Sequence, residues 1–264
     1  MATPRVIGVF SSKGGVGKTT SSLFLGITLS KIGKDVIVVD GNISAPDIAS
    51  ITKIENEKHL HGVINKKYPV IEAIFPHESG LLIVPGTDSI KELSTIDLFQ
   101  IEPILQKLKD YTEIVIVDTP PGRGEEVMAI LRGVDEVVGV VNPDLRSIRN
   151  TKKLIEIAKE LNKKILGVII VENKNYGRNK LKREIIKKEI GERILGYIPY
   201  DPLIIKYFLK DNFKIENKPK KIWNAYLEVS SRILGEKELI NLLKNNSNRA
   251  IIKYINKKFG IRIK

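Results

Sequence analysis

Val6-Ile7-Gly8-Val9-Phe10 runs through Ser11-Ser12 into Lys13-Gly14-Gly15-Val16-Gly17-Lys18-Thr19-Thr20, and a helical apolar periodicity follows over 19–32. An apolar run of strand length, a glycine-rich turn and a helix opening on Lys-Thr together form the phosphate-loop arrangement. Glycines let successive backbone N–H groups converge on phosphate oxygens, and the helix N-terminus adds its positive end. In such a loop Lys18 is expected to reach the β- and γ-phosphates, and the Thr19 hydroxyl to hold Mg²⁺. Gly14, Gly15, Val16, Gly17 and Thr20 complete the expected nucleotide-binding stretch.

Further apolar runs of strand length occupy Val36–Val39, Leu81–Val84, Ile114–Val117, Val137–Val141, Ile165–Val171 and Ile194–Ile198. They are continuous rather than alternating, as strands covered on both faces require. Helical patterns lie between them near 97–109, 125–132, 145–162, 180–190, 203–209 and 220–234, and 43–80 has room for one or two small helices. This alternation predicts an α/β fold: a mostly parallel sheet with helices on both faces, in three layers. Trp223, Tyr226 and Leu227 recur at helical spacing and read as core. The composition breaks at Lys244-Asn245-Asn246-Ser247-Asn248, which divides an expected P-loop domain at 1–243 from a tail at 244–264.

Composition narrows the chemistry. The 264 residues contain no cysteine, which excludes disulfides, thiolate metal sites and thiol catalysis. No run of 18 apolar residues is present, so no transmembrane helix is expected, and a strand leading into a glycine loop at the N-terminus does not read as a signal peptide. A soluble intracellular protein is the expectation. The net charge of +13 is uneven: residues 1–150 carry 16 Lys+Arg against 19 Asp+Glu, and residues 151–264 carry 28 against 12. Such asymmetry points to a polyanionic partner, nucleic acid or anionic lipid, or to a lysine-rich genome.

Lys13 lies five residues before Lys18, and Lys13-Gly-Gly-Val-Gly-Lys18-Thr-Thr is a deviant Walker A motif. Here the chain resembles the MinD/ParA family of ATPases, over roughly residues 5–235. In that family the extra lysine reaches across a nucleotide-sandwich dimer to the partner's phosphates, so the resemblance implies an ATP-dependent homodimer with Lys13 and Lys18 as catalytic cations. Asp118, which ends an apolar run and precedes Thr119-Pro120-Pro121-Gly122, reads as the Walker B acid supporting Mg²⁺, and the turn after it is similar to the family's second switch. Asp40 ends the run at Val38-Val39 and is expected beside the metal as well. Two residues later the chain departs from the family, which usually has Asp-x-Asp where this sequence has Asp40-Gly41-Asn42. An amide cannot take a proton, although it orients water, so Asn42 implies slow hydrolysis. The resemblance also implies adenine held by Asn173 and by Pro199-Tyr200-Asp201. In Asn173-Lys174-Asn175-Tyr176 a tyrosine stands where a guanine-reading Asp would be, against GTP.

Taken as a helix, Arg249–Phe259 places Ile251, Ile252, Ile255 and Phe259 in one arc, with Arg249, Lys253, Asn256 and Lys257 opposite. A basic amphipathic helix lies in a membrane interface. The segment 249–264 has six cations and no acid, worth roughly 6 kcal/mol near an anionic leaflet at about 1 kcal/mol each. Two tails on one dimer bind far better than one. The alternatives are a helix docked on its own domain and a frayed end. A cytoplasmic protein, peripheral on the inner face of the membrane when ATP-bound and reset by hydrolysis or an activating protein, is the expected function. Its rivals are a DNA-segregation ATPase using the basic face around Lys180, Lys182, Arg183, Lys187 and Lys188, and an adaptor that binds ATP without hydrolysing it. His59, His61 and His77 read as surface or loop residues.

Overall fold

The computed structural model describes residues 3–55, 57–174, 181–204, 207, 219–236, 253, 254 and 257. Each apolar run becomes a strand: β1 (Arg5–Phe10), β2 (Val36–Asp40), β4 (Leu82–Val84), β5 (Ile114–Asp118), β6 (Glu136–Val141), β7 (Lys164–Val171) and β8 (Ile194–Ile198). A two-residue β3 (Phe75–Pro76) is added at the edge. The order in the eight-stranded sheet is β3-β4-β2-β5-β1-β6-β7-β8. All neighbours pair in parallel except β3 with β4. β3 has no counterpart among the predicted strands, because two residues ending in proline carry no periodic signal and a proline is tolerated only at such an edge.

The helices are α1 (Lys18–Lys31), α2 (Ile48–Thr52), α3 (Leu60–Ile64), α4 (Ile90–Leu93), α5 (Ile101–Leu108), α6 (Glu125–Gly133), α7 (Leu145–Glu160), α8 (Arg183–Ile190) and α9 (Lys220–Leu234). Alternate residues of the strands feed opposite faces. Ile7, Val9, Val36 and Val38 join Leu23, Phe24, Ile222 and Tyr226 on one side. Val6, Phe10, Ile37 and Val39 join Ile101, Leu105, Ile130 and Leu154 on the other. Pleat alternation thus splits a continuous apolar run between two cores, which yields the three layers. The expected helix at 97–109 starts as a 3₁₀ turn at Leu98–Gln100 before α5. That at 203–209 falls mostly outside the described residues.

α9 packs on α1, the helix that leaves the phosphate loop. Phe24 stacks on Tyr226 at 5.1 Å between ring centroids. Ser21 Oγ donates to the Gly17 carbonyl at 2.7 Å. The Tyr226 hydroxyl, 2.7 Å from that Ser21 oxygen, is therefore the donor of the pair. Tyr226 and Leu227 are buried as expected, and Trp223 packs against the same cluster.

His59 and His77 lie in loops as expected, but His61 does not match the surface-or-loop reading. His61 is wholly buried. The Thr87 N–H donates to its Nδ1 at 3.2 Å, so its Nε2 carries the proton and donates to the Ile43 carbonyl at 2.9 Å. A neutral ring with both nitrogens satisfied is stable inside, and burial pushes its pKa down. His59 caps α3 through its Nδ1, which accepts the Gly62 N–H at 3.1 Å. The basic residues of α8 are exposed as expected; Arg183 also lies 4.2 Å above the Tyr197 ring. Of the tail, Lys253, Tyr254 and Lys257 are described and helical. The Tyr254 hydroxyl donates to Glu236 at 3.1 Å. The rest of 244–264, with Asn175, Tyr176 and Lys180, lies outside the described residues.

Candidate functional site

β1 sits mid-sheet between β5 and β6, so the loop leaving its C-terminal end emerges between two parallel neighbours. Parallel pairing of β2 with β5 sets Asp40 directly beside Asp118. Gly41 N–H donates to the Asp118 carbonyl at 2.7 Å. A Cβ on Gly41 would lie 2.7 Å from that same oxygen, so only glycine lets the two strand tips approach this closely. Gly15 and Gly17 hold the phosphate loop in left-handed conformations, at φ 70° and 93°.

Asp118 gathers the loop. It is 1% exposed and accepts Lys18 Nζ at 2.8 Å, Thr19 Oγ1 at 2.7 Å and Ser22 Oγ at 3.0 Å. Lys18 is itself only 7% exposed. The buried ammonium of Lys18 is paired with this carboxylate. The Thr19 hydroxyl and the Asp118 carboxylate are hard oxygen donors held side by side, a donor set that suits Mg²⁺. Gly14 and Gly15 are exposed, with open space where a Cβ would stand, which leaves a cradle for phosphate. These residues fit a magnesium nucleotide.

Asp40 is wholly buried and accepts two backbone N–H groups, from Asn42 at 3.3 Å and Ile48 at 2.9 Å. Its carboxyl thereby organises the loop that follows it. Burial, with the negative charge of Asp118, pushes its pKa up to about 7 against the pull of the two amides and Lys18. A carboxyl that holds its proton more tightly folded than unfolded adds stability at low pH. That contribution fades as pH rises from about 4 towards 7. His59, His61 and His77, pushed down by burial, give the opposite slope. Unfolding midpoints of wild type and Asp40→Asn, measured between pH 5 and 8 without Mg²⁺ or nucleotide, separate the two. The wild type is expected to lose ground to the variant as pH rises; parallel curves would contradict the assignment.

Lys13 lies at the mouth of the site, 41% exposed, with its Nζ 3.3 Å from Asp144 Oδ2. Asp144 also caps α7 by accepting the Ser147 N–H at 2.7 Å. Asn142 ties the loop to the neighbouring strand, its Nδ2 donating to the Val171 carbonyl at 2.8 Å and, at 3.4 Å, to that of Val16. Val16 contributes through its backbone; its side chain is in the core. Val171 pairs with Ile198, so Asn173 and Pro199 emerge at adjacent strand tips on the edge of the sheet that carries the loop. Asp201 accepts the Leu203 N–H at 3.0 Å.

A cavity of about 940 Å³ is bounded by Lys13, Lys18, Thr19 and Thr20 with Asn42, Ser44 and Glu126. Asn173, Pro199 and Asp201 do not border it. Asn42 is 8% exposed and its Nδ2 donates to the Ala45 carbonyl. Ser44 and Glu126 escaped the sequence reading. Ser44 donates its hydroxyl, and its N–H at 3.4 Å, to the Glu126 carboxylate. They are 82 residues apart and belong to no motif, so only the fold brings them together.

Comparison with known proteins settles the family. The model described as ParA, an NUBPL iron-transfer P-loop NTPase, matches residues 2–234. The chain belongs to the MinD/ParA family of P-loop ATPases. Within it, an uncharacterized ATP-binding protein of Methanocaldococcus jannaschii is 30% identical over 258 residues, covering 97% of each chain. The septum site-determining protein MinD of Bacillus subtilis is 25% identical over 262 residues, 96% of this chain and 97% of that one. The Mg-ADP complex of the septum site-determining protein MinD from Pyrococcus horikoshii shares the fold at a TM-score of 0.81 and 24% identity, covering 87% of this chain and 96% of that chain. The family model's description names iron transfer, yet this MinD/ParA member has no cysteine, the usual ligand of iron–sulfur clusters. Among its described residues no helix is long and apolar enough to cross a membrane.

Proposed function

We propose that this chain is an ATP-dependent dimerisation switch of the MinD type, which engages an anionic membrane surface when ATP-bound. The observation that carries the reading is the placement of the two lysines. Lys18 is buried on Asp118, inside the site, whereas Lys13 stands half-exposed at its mouth on a long contact to Asp144. An exposed pair of that kind is worth about 0–1 kcal/mol and is readily exchanged for a phosphate on a facing copy. When bound, Mg²⁺ neutralises phosphate charge. Thr19 and Asp118 would hold it, with Asp40 beside them. The backbone of 14–20 cradles the phosphates, Lys18 meets the β- and γ-oxygens, and Asn173 with Pro199 and Asp201 holds adenine. Hydrolysis, slow or stimulated by an activating protein, returns the dimer to monomers.

Pairing brings two basic tails to one surface, and the second tail then binds at a high effective concentration. Co-sedimentation with vesicles rich in anionic lipid tests this, with ATP or ADP and with full-length protein or a truncation after Leu243. Binding is expected with ATP, to fall at least tenfold with ADP, and to vanish with the truncation. Binding that ignores nucleotide, or survives loss of the tail, overturns the membrane reading. Retention on DNA by the truncated protein would assign the engaged surface to the exposed basic face of α8 instead.

A further inference from the structure

A group that takes a proton from the attacking water accelerates hydrolysis of ATP, and position 42 supplies none. The Asn42 amide has no basic site, and its Nδ2 is committed to Ala45. The carboxylates around the cavity differ in what they have left to offer. Asp118 already accepts Lys18, Thr19 and Ser22 and is the acid expected at the metal. Asp40 is wholly buried under two backbone amides. Asp47 and Glu125 border the cavity but are exposed. Glu126 is half-buried, borders the same cavity as Lys13, Lys18, Thr19 and Asn42, and is held in place from across it.

That hold has a specific form. Ser44, two residues beyond Asn42, gives Glu126 both its hydroxyl and its backbone N–H. Glu126 lies in the first turn of α6, directly after the turn that leaves Asp118. The bond therefore joins the loop carrying Asn42 to the segment that follows the magnesium-binding acid. A carboxylate with one donor on each oxygen keeps lone pairs for a water, and its position is fixed without its charge being cancelled.

We propose that Glu126 is the general base of ATP hydrolysis in this chain, replacing the carboxylate that position 42 lacks, with Ser44 as its positioning residue. The inference rests on the ATPase reading above. In the step, the water oxygen forms a bond to the γ-phosphorus and the bond from that phosphorus to the β–γ bridging oxygen breaks. ADP leaves with the bonding electrons. The water's proton passes to the Glu126 carboxylate, which then releases it to solvent. Asn42 orients the water through its side-chain carbonyl.

Glu126→Gln keeps the size and a hydrogen-bond acceptor for Ser44 while removing the base. With full-length protein, Mg²⁺ and ATP, kcat is expected to fall by about 100-fold or more, the usual scale of general-base loss. ATP affinity, measured by calorimetry, should stay within threefold. Introducing Asn42→Asp into the Glu126→Gln protein should recover turnover to within tenfold of wild type, which a residue with only a structural role would not allow. Ser44→Ala should lower kcat by a smaller factor, about 3- to 10-fold. A Glu126→Gln protein that turns over at the wild-type rate overturns the proposal. So does a wild-type protein that binds ATP and dimerises but never hydrolyses it, a result that leaves the switch reading standing. Failure of the wild type to bind ATP sinks both.

Discussion

Asp118→Ala is expected to melt roughly 10 °C or more below wild type and to lose magnesium-dependent nucleotide binding. Asp118 is 1% exposed and accepts a hydrogen bond from Lys18, a side chain 7% exposed. Deleting the carboxylate strands a buried ammonium and frees the hydroxyls of Thr19 and Ser22. Breaking a buried pair from one side costs about 3–5 kcal/mol, because the remaining charge stays desolvated. For a domain of this size each kcal/mol moves the midpoint by about 2–4 °C. Lys18→Met makes the complementary case. Asp118 then keeps two hydroxyl donors, so the stability loss should be smaller, while nucleotide affinity falls about 100-fold with the loss of the phosphate-reading cation. Thermal melts with and without ATP, paired with calorimetry, check both. An Asp118→Ala protein melting within 2 °C of wild type would show that the pair is not what holds the loop.

The parts of this site that the sequence displays are those whose chemistry is local in the chain. Strand, glycine loop, Lys-Thr and helix are contiguous, so β1, α1 and the nucleotide cradle follow from spacing alone. Asp40 and Asp118 could be placed at strand tips because continuous apolar runs end on them. That they stand side by side is a matter of register between β2 and β5, which no local pattern encodes. Pairings across long sequence separations were out of reach for the same reason: Lys13 with Asp144, 131 residues apart, and Ser44 with Glu126. The surface-or-loop expectation fails at His61 because an isolated polar residue in a short segment gives no burial signal. It is buried since Ile43 and Thr87, from two different loops, satisfy both ring nitrogens. The short β3 strand failed for want of length, its two residues being recruited by β4.

The two lysines of the loop should separate stability from assembly. Lys13→Ala is expected to leave the unfolding free energy within about 0.5 kcal/mol of wild type, since an exposed pair held at 3.3 Å contributes little to the fold. ATP affinity of the monomer should fall no more than a few-fold, because Lys18, Thr19 and the backbone of the loop remain. The ATP-dependent dimer should be lost, and turnover should drop at least 100-fold if the second lysine acts on the facing copy's phosphates. Asp144→Ala works in the other direction. It releases Lys13 from its ion-pair contact with that carboxylate and removes the cap of α7, whose loss costs about 1 kcal/mol. That protein should be slightly less stable yet still pair with ATP. Light scattering on size-exclusion eluates, with a non-hydrolysable ATP analogue, reads the assembly state of all three proteins. Dimers of Lys13→Ala at wild-type concentrations would remove the lysine from the interface and, with it, the argument that its exposure at the mouth serves a second copy of the chain.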